Sequence, residues 1–172
     1  MEQKRLNIAE ILKDYPKGTN LYSPPFGKVT LDYIDLTDKF PIVIKYNDGV
    51  NCVSFMKDGR YVNMKDVECC LFPSKGMRDW EKFCWKRGDV VTNIDDGITA
   101  IFDGWASDTY DKFNTAYSYE AADSSYNEEV VYETCDFVKL SEGCRLRFIA
   151  YLEKEYHGKF NADTLEIEKC CV

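Results

Sequence analysis

The sequence is poor in the residues on which catalytic and metal-binding motifs rest. It holds a single histidine, His157, so Ser-His-Asp or Cys-His chemistry would have to run through that one imidazole, and nothing points to a nucleophile that meets it. Neither G-x-x-x-x-G-K-[ST] nor G-x-G-x-x-G occurs, which removes the usual phosphate cradles. H-E-x-x-H, G-x-S-x-G and C-x-x-C are missing too. Asp95-Asp96-Gly97 and the Asp123–Glu129 segment lack the ligand spacing of a calcium loop. No cofactor and no metal are expected, and no catalytic residue can be named. No apolar run reaches the length of a membrane span, and the first seven residues carry no apolar signal segment. The expected compartment is the cytoplasm.

The cysteines, by contrast, number eight. Two pairs are adjacent, Cys69-Cys70 and Cys170-Cys171, a spacing that zinc sites do not favour. In a reducing compartment they read as free thiols, most of them small buried apolar groups. Aromatic residues reach 15%, with 12 Tyr and 10 Phe. Such side chains fit half-buried pleated surfaces, so sheet is favoured over helix.

Two stretches echo each other at an offset of 70 residues. Lys17-Gly18-Thr19-Asn20-Leu21-Tyr22 with Gly27 answers Arg87-Gly88-Asp89-Val90-Val91-Thr92 with Gly97. A weaker match, Cys69–Phe72 with Cys135–Val138, runs at an offset of 66. The echo predicts one β-rich unit used twice. Strands are expected at 20–23, 28–36, 40–46, 50–55 and 67–72, and again at 89–92, 98–102, 112–119, 130–132 and 135–139. Asn47-Asp48-Gly49, Lys57-Asp58-Gly59 and Asp95-Asp96-Gly97 read as tight turns. Asn7 and Glu10 form a capping box for a short first helix with an Ile8, Ile11, Leu12, Tyr15 stripe, stopped by Pro16 and Gly18. Its place is a lid at one end of a barrel. Ser141 caps a last helix with Leu146, Phe148, Ile149 and Leu152 on its apolar face, Gly158 just past its end, and an edge strand at 165–168. The expected fold is mainly β with flanking helices: two tandem small SH3-like barrels or one fused β assembly. The expected domains are 1–76, the first helix and β unit, and 77–172, the connector, the second unit and the last helix.

The charge is uneven. From Asp103 to Asp136 nine acidic residues meet one basic residue, Lys112, which accounts for the whole net charge of −8. The same segment carries Trp105, Tyr110, Phe113, Tyr117, Tyr119, Tyr126 and Tyr132. Carboxylates attract a cationic partner and tyrosines supply contact area, so a basic protein surface is the expected partner. Direct binding to nucleic-acid phosphate wants the opposite sign. The candidate binding residues are Asp108, Asp111, Tyr117, Tyr119, Asp123, Tyr126, Glu128 and Glu129. The competing explanation is a solvated sheet face, aromatics inward and acids outward. Two further functions stay open: an assembly oligomer, and a carboxylate-based enzyme on a small or carbohydrate-like substrate.

Leu6–Leu12, Lys17-Gly18-Thr19-Asn20-Leu21-Tyr22-Ser23-Pro24, Lys57–Tyr61, Leu71-Phe72-Pro73-Ser74-Lys75 and Arg78-Asp79-Trp80 resemble phrases of a family of small proteins encoded by gut-bacterial genomes, prophages and phages. Phe160–Asp163 with Leu165-Glu166 fits the same pattern. The resemblance implies a mobile-element setting. It implies no activity and carries over no functional residue.

Overall fold

A computed structural model describes residues 5–61 and 68–170. The fold is mainly β with antiparallel sheets and three helices among the described residues. The chain divides into two units, Met1–Cys84 and Trp85–Val172. The connector residues Trp80 and Phe83 thus fall in the first unit, and Trp85 in the second, whereas a boundary at Gly76 had been expected.

The first unit opens with α1 (Ile8–Leu12), where the Asn7 side chain accepts the Glu10 N–H at 3.1 Å. The free amides of Ile8 and Ala9 both donate to the Lys57 carbonyl, so the helix start is tied to a turn of the same unit. β1 (Asn20–Ser23), β2 (Gly27–Ile34), β3 (Ile42–Tyr46) and β4 (Asn51–Phe55) form a meander in sequence order. Asn47, Asp48 and Gly49 all hold positive φ in the β3–β4 turn, as the sequence signal requires. α2 (Trp80–Phe83) is capped by Asp79 and buries both aromatic rings. The expected strand at 67–72 is reduced to a single bridge from Phe72 to Tyr22, with Val67 outside the described residues.

The second unit contains β5 (Val90–Asn93), β6 (Ile98–Trp105), β7 (Lys112–Glu120), β8 (Ser125–Glu128), β9 (Val131–Glu133) and β10 (Val138–Lys139). Their order is β10-β5-β6-β7-β8, and β9 pairs with the first part of β7. α3 (Glu142–Tyr156) follows, then the hairpin β11 (Gly158–Asn161) and β12 (Glu166–Lys169). Adjacent residues of the strands feed two cores. Val91, Ala100, Phe102 and Phe113 pack with Trp85 and Phe137, while Val90, Ile101 and Tyr117 pack with Phe148, Leu152 and Leu165. The sheet is buried on both faces, which explains its continuous apolar runs. Leu146 is 56% exposed, so the apolar face of α3 is narrower than expected: Phe148, Ile149 and Leu152.

The echo falls on matching hydrogen bonds. Gly18 N–H donates to the Leu31 carbonyl and Gly88 N–H to that of Phe102, both at 2.8 Å. Leu31 N–H returns to Thr19, and Phe102 N–H to Asp89. Both glycines hold positive φ, 91° and 95°. Tyr22 bridges Phe72 just as Thr92 pairs with Val138.

Closed barrels are not what these strands build. Both sheets are open among the described residues, because the strand that would close each one is a single bridge at Phe72 in the first unit and the two-residue β10 in the second. The cysteines also depart from expectation. The seven described ones are free thiols, but Cys70 alone is buried, and Cys52 and Cys135 are exposed; the exposure of Cys170 is what its place near the end of the sequence suggests. Cys171 lies outside the described residues.

Candidate functional site

β7 and its two turns carry the acidic aromatic segment. Asp108 and Asp111 sit in the turn before β7, and Asp123 in the turn after it. A nine-residue strand at roughly 3.4 Å per residue separates those turns by about 30 Å. The structure therefore does not bring the predicted acids together.

Several of them hold turns. Asp111 accepts the hydroxyls of Ser107 and Thr109, at 2.5 and 2.8 Å, and these bonds hold its carboxyl below the ordinary aspartate range. Asp123 accepts the Ser125 amide and hydroxyl. Asp103 pairs with Arg87 at 2.8 Å. Asp108, Glu128 and Glu129 are exposed, and Glu129 leaves β8 with a φ of 54°.

The tyrosines converge where the acids do not. Tyr119 stands opposite Tyr126 in the β7–β8 register, and Tyr117 opposite Glu128. Alternation puts these four on one face of the sheet, the face packed with α3 residues. The Tyr119 and Tyr126 ring centroids are 4.8 Å apart at a tilt of 49°, a corner rather than a stack. Tyr156 of α3 packs against Tyr117 at 5.0 Å and edge-on to Tyr126 at 6.3 Å. Tyr117 itself is buried, and its hydroxyl accepts the Ile167 amide at 3.2 Å. It supports the surface from beneath.

Between this face and α3 lies a groove of about 380 Å³, lined by Thr99, Tyr119, Tyr126, Leu140, Cys144, Arg147, Phe148 and Tyr151. No carboxylate lines it, but two stand close to its tyrosines. Burial first, and then the Glu155 carboxylate, push the Tyr126 phenol up. Burial and then Glu128 do the same for Tyr156. The Arg147 side chain makes no ion pair or hydrogen bond among the described residues. Tyr119 and Tyr126 are legible in the sequence as candidates; Arg147, Phe148, Tyr151 and Glu155 are not. Their signal is a second helical stripe, Cys144, Arg147, Tyr151 and Glu155, beside the apolar one.

On the opposite face Tyr132 Oη lies 2.8 Å from Glu120 Oε1 and 2.9 Å from Ser118 Oγ. Burial, opposed by Ser118 and aided by Glu120, pushes the Tyr132 phenol up to about 12. Among the described residues no group of histidine, cysteine or carboxylate side chains is arranged to hold a metal ion. No helix among them is long and apolar enough to cross a membrane. Comparison of the chain with protein-family models, curated proteins and solved structures finds no match.

Proposed function

We propose that the protein is a non-catalytic binding protein whose second unit engages a basic protein surface. The observation that carries this reading is the placement of the Tyr119–Tyr126 corner in an open groove, with Glu128 at the end of β8 and Glu129 just after it. Tyrosine gives broad contact area at low conformational cost, and exposed carboxylates steer a cationic partner. Asp103, Asp111 and Asp123 are engaged by their own surroundings, so the contact narrows to the β8 end of the segment.

The two units are read as diverged copies of one SH3-like arrangement, opened at its closing strand. The shared Gly18 and Gly88 hydrogen bonds and the Tyr22–Phe72 and Thr92–Val138 pairings support that reading. The resemblance to small phage and gut-bacterial proteins favours a mobile-element origin. The first unit is nearly balanced at +1 and the second carries −9, so the first acts as scaffold.

The test is a titration of the full chain with a lysine-rich peptide, against a variant carrying Glu128→Gln and Glu129→Gln. Exposed ion pairs contribute a few tenths to one kcal/mol each, so the variant should bind about tenfold more weakly, and added salt should weaken the parent. Binding indifferent to both changes refutes the proposal.

A further inference from the structure

The groove of the second unit is too small for an extended ligand. At about 380 Å³ it lies near the lower end of the range for small-molecule sites, enough for one long side chain. Its walls are unequal. Tyr119 and Tyr126 line it from the sheet, and Tyr151, 62% exposed, lines it from α3. Arg147 lines the same groove one helical turn earlier. Glu155 follows Tyr151 by one turn, about 12 Å along α3 from Arg147. The groove is thus electrostatically directional, cationic at the Arg147 end and anionic at the Glu155 end. Glu128 shares the Tyr126 face of β8 and adds to the anionic end.

A ring face attracts a cation through its quadrupole, and an ammonium on an alkyl stem also buries its methylenes on apolar walls. Leu140 and Phe148 provide those walls. An anion would meet the phenolic edges and the two carboxylates, and a neutral apolar group would leave the charge pattern unused. We infer that this groove receives a single lysine ammonium of the partner between Tyr119, Tyr126 and Tyr151, with Glu155 and Glu128 at the entry and Arg147 excluding a second cation from the far end. The inference rests on the binding reading above and names the side chain that the site selects. Burial is the first cause of the rise of the Tyr126 phenol and the Glu155 carboxylate the second; that carboxylate, which disfavours a phenolate, favours a cation.

The probe is n-butylammonium, with 1-butanol as its neutral isostere. Each is titrated into the full chain while tyrosine ring resonances are followed by NMR. Butylammonium should shift Tyr119, Tyr126 and Tyr151 saturably, and butanol should bind several-fold more weakly. Glu155→Gln and Tyr126→Leu should each weaken butylammonium about fivefold, Tyr126→Phe should retain it, and Arg147→Gln should strengthen it. Arg147→Gln keeps the idea falsifiable should Tyr126→Leu disturb the β7–β8 pairing. Equal binding of butanol, or weaker binding by Arg147→Gln, overturns the inference. A lysine-rich peptide that binds with salt dependence and leaves these rings unmoved overturns it too, while the binding reading stands. Shifted rings with no peptide binding support the site and refute the basic-protein reading.

Discussion

Tyr132→Phe tests the polar contact inside the acidic segment. Tyr132 has one hydroxyl proton and two neighbours, Glu120 at 2.8 Å and Ser118 at 2.9 Å. The phenol O–H donates toward both, so the Glu120 carboxylate and the Ser118 oxygen share its one proton. Ser118 is fully buried, whereas Glu120 is half-exposed and can rehydrate. Phenylalanine keeps the ring contacts with Phe113 and Phe137 but leaves the Ser118 hydroxyl without its partner. An unmet buried hydroxyl costs about 1–3 kcal/mol, and that is the expected loss at neutral pH. Adding Ser118→Ala removes both partners and should return part of the loss.

The same contact sets a pH dependence. The folded phenol is pushed up to about 12, mainly by burial, against about 10 in the unfolded chain. Between those values the unfolded state has lost a proton that the folded state keeps, so stability falls as pH rises. The contribution is complete below pH 10 and gone above 12. The ring is partly exposed, and screening reduces the full two-unit effect to about 1 kcal/mol. The gap between parent and Tyr132→Phe should therefore narrow by about that much from pH 9 to pH 12. Urea unfolding followed by far-UV circular dichroism at each pH reads the gap. A gap that stays constant across that range, or a loss near zero at neutral pH, refutes the assignment.

Two glycines of the same unit should respond in opposite directions. A Cβ at Gly158 would meet the Glu168 carbonyl oxygen and carbon and come within 2.6 Å of Ile167 Cγ2, so Gly158→Ala should destabilise the β11–β12 hairpin by about 1–3 kcal/mol, read by exchange over Gly158–Asn161. Gly143 has open space around its Cβ position in the first turn of α3, so Gly143→Ala should raise the urea midpoint, by up to about 1 kcal/mol.

The readable parts of the fold are those with local punctuation. β1 occupies the predicted residues because Gly18 and the Pro24-Pro25 break fix both its ends. The Asn7 and Ser141 caps sit where the sequence puts them, since each closes a bond within its own first turn. β8 escapes detection because Ser125-Tyr126-Asn127-Glu128 has no apolar alternation; pairing with β7 makes it a strand. β11 is hidden for a different reason. Gly158 suggests a left-handed helix end, but His157 takes that conformation at φ 55°, and Gly158 is needed for the close approach of β12. The groove is the least legible feature. It joins β8 to α3, elements far apart in sequence, and a stripe of Cys144, Arg147 and Tyr151 gives no sign of what it faces.

The net charge of the second unit reads in sequence as one patch, and in space it has two ends. That difference fixes what each carboxylate can contribute to a partner at the β8 end. Asp108 lies in the turn before β7, and Glu133 on β9 pairs with Lys112 at the start of the same strand. Glu133 stands opposite Lys112 and Glu128 opposite Tyr117, so at roughly 3.4 Å per residue about 17 Å of strand separates the two ends. The Debye length is about 8 Å at physiological ionic strength and about 30 Å at 0.01 M. Asp108→Asn with Glu133→Gln should therefore leave the affinity for a lysine-rich peptide unchanged near physiological salt and weaken it at low salt. Glu128→Gln should weaken it at both. Equal effects of the two sets at physiological salt would mean that the peptide spans the strand, and would refute a contact confined to the β8 end.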